Sequence, residues 1–320
     1  QYTISGTSLI NVTFFSFRHL CVTLYGPAHN IHKINNLHNL LKQEHGITPT
    51  KEWLEDWLVN SCELIDKYHP ETLFFDWWVM NYAFRPYMKK FLAYYYNRSV
   101  EWGKEVCVQY KSDAIMYNVG IFDRERGQLA ATSPYIWQSE TSTAYNSWSY
   151  CTTNKFKTAG KIAGTFVDVI SKNGNFVLNL GPKADGTFCE EEMQILEKLS
   201  DWTAKNKEAI WGTQPYKIFG EGKKHGNGSF NEKYNYSRKD YRFTYKTGSI
   251  YIFALKPDRT TFKIKSLKYS GDMFAADIKN VEVLGYNQNL YYERNNRCLK
   301  IELDSPIETD MPLCFKVSID

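Results

Sequence analysis

The sequence lacks the patterns that mark metal sites, disulfide scaffolds and membrane spans. Its seven cysteines (Cys21, Cys62, Cys107, Cys151, Cys189, Cys298 and Cys314) are scattered and form no Cys-x-x-Cys pair. An odd, dispersed set argues against a disulfide framework and against a zinc ribbon. These thiols read instead as small apolar groups. His29, His32, His38 and His45 share one polar segment, yet no two stand four apart, so the helix-borne zinc pattern is missing and no metal or other cofactor is expected. No stretch reaches the roughly 18 apolar residues of a membrane helix. The first residues carry no basic stretch ahead of an apolar core, so no signal peptide is read and the compartment stays open. Charge has no dominant sign either: 39 Lys and Arg face 35 Asp and Glu, a net +4. That balance gives no footprint for nucleic acid.

What the chain has in quantity is aromatic side chains, 16% of 320 residues. Flat apolar rings suit a glycan-binding cleft, and they suit a large packed core equally well. Glycosylation sequons at Asn11, Asn97, Asn227 and Asn235 matter only for a secreted eukaryotic protein. Leu9 to Phe17 reads as a strand. Thr48-Pro49 predicts a helix cap and first-turn proline. After it Leu54, Trp57, Leu58, Cys62 and Ile65 recur at helical spacing. His69-Pro70 ends that helix, and the apolar run Leu73-Phe74-Phe75 leads straight into Asp76, Trp77 and Trp78. A lone acid at the end of a buried strand is either a cap for the next element or a catalytic group, because burying an unpaired charge costs several kcal/mol.

Helix and strand then alternate, the rhythm of an α/β barrel or wound sheet. Helices are predicted over 87–101, 161–171 and 190–205, and strands over 105–110, 135–137 and 175–180. Asp123-Arg124-Glu125-Arg126-Gly127 reads as the end of a loop. From about residue 216 the pattern changes to short alternating segments such as Ile250–Ala254 and Cys298–Leu303, which predict an antiparallel β-sandwich. The division expected is therefore 1–215 and 216–320.

Four blocks resemble the α-L-fucosidases of glycoside hydrolase family 29. They are TKEWLEDWLVNSCELIDKYHPETLFFDWWV (50–79), IFDRERGQL (121–129), WQSETSTAYNSWSY (137–150) and NGNFVLNLGPKADG (173–186). The resemblance implies a (β/α)8-type barrel, incomplete at its N-terminus, followed by an all-β sandwich. It implies hydrolysis of terminal α-L-fucosides with retained configuration, by two carboxylates about 5–5.5 Å apart. Asp76 matches the nucleophile. Glu125 matches the acid/base, with Glu140 as rival. Some relatives carry that acid nearest the position of Gln138, and an amide cannot give and reclaim a proton. From the residues alone, Glu125 reads as a surface glutamate paired with Arg124 or Arg126, and it is the resemblance that turns the reading to acid/base. Phe74 stands where many relatives have a pocket Trp, and Lys111 where they place an Arg or Lys near the sugar or nucleophile. Trp137 would stack on the sugar or pack the core, and His29 is a further pocket candidate. The implied partner is a fucosylated oligosaccharide or glycoconjugate, with neither nucleic acid nor membrane; oligomeric state is left open.

The family's adjacent His-His pair is absent from this sequence. The matched blocks begin near the family's fourth barrel strand, so the first three or so β/α units find no counterpart, and an eight-stranded barrel cannot close without them. The competing reading is a non-catalytic, glycan-binding or structural remnant of such an enzyme. A third is a retaining glycosidase acting on another sugar.

Overall fold

The computed structural model describes residues 10–12, 22–24, 48–77, 79–223, 228–269 and 274–320. Two short strands, β1 (Ile10–Val12) and β2 (Val22–Leu24), precede the first described helix, α1 (Lys51–Tyr68). By contacts the chain divides into two compact units, Thr13–Asp123 and Gln1–Val12 with Arg124–Asp320.

In the first unit α1 is capped by Thr50, whose hydroxyl accepts the Trp53 N–H at 3.2 Å. The cap thus falls two residues beyond the expected Thr48, because the hydroxyl at 50 is the one within reach of the third helical N–H. His69 closes the helix in the left-handed region (φ 45°), its N–H bonding Ile65 O, and Pro70 cannot continue it. Strand β3 (Thr72–Phe75) pairs in parallel with β2 and with β4 (Cys107–Tyr110). Helix α2 (Arg85–Trp102) links β3 to β4, with Pro86 in its first turn and Gly103 (φ 63°) at its end. Leu54, Trp57 and Ile65 of α1 and Phe91 and Tyr95 of α2 are buried with Leu73 and Phe75 of β3. Trp57 lies 5.8 Å from Phe75, and Phe91 5.3 Å. Each such ring contributes about 1.5–3 kcal/mol on burial, and together they fix β3 against both helices. Strand β5 (Ile121–Glu125) pairs with β4 through Ile121 and Phe122.

In the second unit β6 (Trp137–Ser142) and β1 flank β7 (Gly174–Asn179), all parallel. Helix α3 (Ala159–Ile170) connects β6 to β7 and is buried at every residue except Lys161. Helices α4 (Glu190–Lys205) and α5 (Lys207–Ile210) complete the helical part.

Antiparallel strands begin with β8 (Gln214–Glu221). They continue as β9 (Tyr241–Lys246), β10 (Ser249–Ala254), β11 (Thr261–Ile264), β12 (Ile278–Val283), β13 (Leu290–Arg294), β14 (Leu299–Leu303) and β15 (Leu313–Ile319). One sheet runs β12-β15-β10-β9-β8 and another β11-β14-β13. Phe243, Ile252 and Phe315 from the first and Phe262, Leu299 and Ile301 from the second share one apolar cluster. Among the described residues no helix is long and apolar enough to cross a membrane.

The strands around Glu125 and Trp137 differ from the sequence reading. The run Asp123-Arg124-Glu125 is strand, not loop: Asp123 and Glu125 are buried on alternate positions of β5, a period-2 pattern that charged residues hide from any apolar count. The strand expected over 135–137 begins at Trp137 and runs to Ser142, with Tyr135 and Ile136 exposed ahead of it.

Candidate active-site residues

Parallel pairing places the first group. Phe75 of β3 lies opposite Tyr110 of β4, so the next residues along the two strands are Asp76 and Lys111. Lys111 Nζ stands 3.0 Å from Asp76 Oδ1, with the lysine side chain 4% and the aspartate 24% exposed. The contact is an ion pair rather than an aligned hydrogen bond, since Oδ1 is buried and makes no bond of good geometry. The ammonium also lies 5.3 Å from the Phe74 ring centre and 5.2 Å from that of Trp77, within cation–π reach of both. Ser112, directly after Lys111, takes φ 54°, an uncommon conformation for a residue with a side chain. Asp76, Lys111 and Phe74, named separately from the sequence, thus form one group; Trp77 joins it.

Glu125, the last residue of β5, is 7% exposed, which sets aside its reading as a surface glutamate. Its carbonyl accepts the Phe230 N–H at 2.9 Å, the Arg126 carbonyl accepts the Asn231 N–H at 2.9 Å, and the Arg126 N–H donates to Glu140 O at 2.7 Å. Glu125 and its rival Glu140 therefore sit on neighbouring backbones. Arg126 (φ 45°) is buried. Its guanidinium donates to the carbonyls of Ala144 (3.0 Å), Tyr145 (3.3 Å) and Ser147 (2.9 Å), and stacks 4.2 Å from Trp148.

Beyond Arg126 lies a carboxylate the sequence reading did not single out. Glu232 accepts from Lys157 Nζ at 2.9 and 2.8 Å and from Arg126 Nη1 at 3.4 Å, and it also bonds Thr141 Oγ1. Burial lowers the Lys157 pKa, an effect the Glu232 charge opposes. No spacing rule could flag this set, because Glu232 lies 75 residues from Lys157 and 106 from Arg126.

Trp137, expected to stack on sugar or pack the core, packs the core. It is 1% exposed and its Nε1–H donates to Lys172 O at 3.0 Å. Gln138 is buried and Glu140 partly exposed. His29 lies outside the described residues.

A fully buried charge cluster supports α3. Asp168, at the helix's C-terminal turn, pairs with Lys172 Nζ at 2.6 Å and with Arg242 Nε of β9. Burial by itself pushes the Asp168 carboxyl up, yet Arg242 and Lys172 outweigh it and hold the group below the usual carboxylate range.

Parallel strands joined by helices, with ionisable side chains at their C-terminal ends, are the arrangement in which α/β-barrel enzymes of many chemistries place their catalytic groups. A family model described as Alpha-L-fucosidase matches residues 16–208. The tissue alpha-L-fucosidase of Rattus norvegicus is 24% identical over 204 residues, covering 62% of this chain and 44% of that protein. The plasma enzyme of Homo sapiens is 26% identical over 168 residues, covering 48% and 34%. The crystal structure of Thermotoga maritima alpha-fucosidase in complex with fucose aligns at TM-score 0.62 and 24% identity, over 84% of this chain and 57% of that one. The isoenzyme 1 alpha-L-fucosidase of Paenibacillus thiaminolyticus aligns at TM-score 0.62 and 15% identity, over 89% and 66%. At these identities the structural likenesses speak for fold alone. The chain belongs to the alpha-L-fucosidase family of glycoside hydrolases, and it spans less than half the length of these two relatives.

Proposed function

We propose that the chain hydrolyses terminal α-L-fucosides with retention, through an incomplete (β/α)8-type barrel over 1–215 followed by a β-sandwich over 216–320. The observation that carries this reading is the Asp76–Lys111 pair at the ends of β3 and β4. A carboxylate aimed from a strand end, held by one cation on one oxygen, has the other oxygen for attack. Asp76 would bond the anomeric carbon while Glu125 gives its proton to the departing oxygen. Glu125 would then take a proton from water as the water displaces Asp76, restoring both carboxyl groups and releasing fucose in its original configuration. Glu140 is the alternative acid/base, and Phe74 is assigned to the sugar pocket. The substrate is a fucosylated oligosaccharide or glycoconjugate.

The experiment is turnover of an aryl α-L-fucoside by the 320-residue chain, with Asp76→Gly plus azide beside it. Loss of activity in the variant with recovery of the inverted fucosyl azide supports the reading. An unchanged rate in Asp76→Gly overturns the nucleophile, and turnover of a different aryl glycoside alone overturns the sugar.

A second reading, glycan binding or a structural role without turnover, draws on the short coverage of the relatives. A folded, monodisperse wild-type chain without turnover would favour it.

A further inference from the structure

The hairpin that follows β6, residues 143–157, is built unlike a surface loop. It closes through Tyr145 N–H to Lys155 O at 2.8 Å and Lys157 N–H to Thr143 O at 2.8 Å. It is then gripped from two strand ends. Arg126, after β5, takes the carbonyls of Ala144, Tyr145 and Ser147. Asn179, at the end of β7, donates to Trp148 O at 2.6 Å. Gly181 lies so close beneath that a Cβ there would stand 2.5 Å from Tyr150 N. A buried arginine and a partly buried asparagine thus fix the backbone of an exposed loop, and ordering entropy that a ligand would otherwise have to oppose is already spent in folding.

What this fixed backbone displays is aromatic. Tyr145 is 48% and Tyr150 39% exposed, and Trp148 is half-buried on Arg126. Beneath Tyr145 lies Lys157, 5.5 Å from the ring centre, itself held by Glu232. Both tyrosines stay exposed although the backbone that carries them is fixed. The nearest strand end on the Arg126 side is that of Glu125. Neutral and flat-faced, on a loop gripped by the arginine that directly follows the residue assigned to protonate a departing sugar oxygen, these rings match one occupant.

We propose that Tyr145, Trp148 and Tyr150 form the platform for the leaving-group sugar, a neutral pyranose stacking its C–H face on the rings. The inference rests on the fucosidase reading for its occupant, and the test separates the two. The 320-residue chain is titrated with methyl β-D-galactopyranoside and methyl N-acetyl-β-D-glucosaminide, and separately with L-fucose, by saturation-transfer NMR. Tyr145→Ser, Tyr150→Ser and the double variant follow, with melting curves to show they are folded. The expected result is pyranoside binding that weakens about tenfold or more in the double variant, with the fucose response unchanged. Pyranoside binding without fucose binding would leave the platform standing and remove the fucosidase reading. Unchanged pyranoside binding in the double variant, or none in the wild type, overturns the platform. So does a change confined to self-association in sedimentation, which would make the rings a contact between copies.

Discussion

Asp76 and Lys111 face each other because Phe75 and Tyr110, one residue earlier in β3 and β4, are register partners. The register makes the pair a product of strand pairing rather than of loop conformation, so it is held wherever the two strands are. Lys111→Met removes the cation and leaves the rings of Phe74 and Trp77 in place. Turnover of an aryl fucoside should fall on the order of 10²-fold, the usual scale for losing one preorganised charge at a reacting centre. Lys111→Arg should retain more of it. A wild-type kcat in Lys111→Met would reduce the pair to a structural ion pair.

Asp168 is the second pairing that carries a prediction. Carboxylate, Lys172 and Arg242 are all fully buried, so removing the one anion strands two cations. Asp168→Asn should cost about 3–5 kcal/mol in urea unfolding. The carboxyl is held down in the fold, so its contribution is present above the unfolded carboxylate pKa of about 3.9 and is lost as pH falls through the lower folded value. Wild type should therefore lose stability in acid more steeply than Asp168→Asn. Parallel acid curves would show that the triad carries no net stabilising charge interaction.

Much of this was legible in the sequence, and for identifiable reasons. The helices over 51–68 and 190–205 announce themselves by apolar spacing, and the C-terminal strands by alternation between turns. Asp76 stood out because a charge at the end of an apolar strand is conspicuous. Strand β5 did not, since its inward positions are Asp123 and Glu125. Arg126, Lys157 and Glu232 were invisible because three ordinary charges distant in sequence acquire meaning only when the chain returns over β5 at 228–232. Trp137 shows the opposite failure: its residue type suits a sugar platform, and only its neighbours show that it is core.

Those neighbours explain the Asn-Gly-Asn motif. Asn173 takes φ 69° and donates to Ser133 O at 3.2 Å. A Cβ on Gly174 would stand 2.6 Å from Trp137 Cε2 and 2.7 Å from Val169 Cγ1, so the glycine is the seat of the indole. Gly174→Ala should destabilise by about 1–3 kcal/mol, as overpacking does. Pairing it with Trp137→Phe, which vacates part of the space, should recover some of that loss. A double variant with strictly additive losses would place the strain elsewhere.

Lys161 gives a pH dependence of opposite sign to Asp168. It is the one residue of α3 not fully buried, and its ammonium bonds Tyr234 O and lies 3.7 Å from the Tyr234 ring centre. Burial pushes its pKa down to about 8, with Glu232 opposing and Lys157 adding to the fall. The unfolded lysine titrates near 10.4, so between about 8 and 10.4 the unfolded chain binds more protons and stability rises with pH; below about 8 the full cost of the buried charge is present. Lys161→Met lacks that cost, along with the bond to Tyr234. Buried thiols and tyrosines titrate nearby with the contrary sign, Cys62 being pushed up to about 11 by burial, so the readout is the difference between variant and wild type. Its change from pH 7.5 to 10.5 should be about 1–2 kcal/mol in favour of wild type, the full shift being reduced by solvent screening at a partly exposed group. A difference that stays flat across the window would mean that Lys161 titrates in the fold as it does in water.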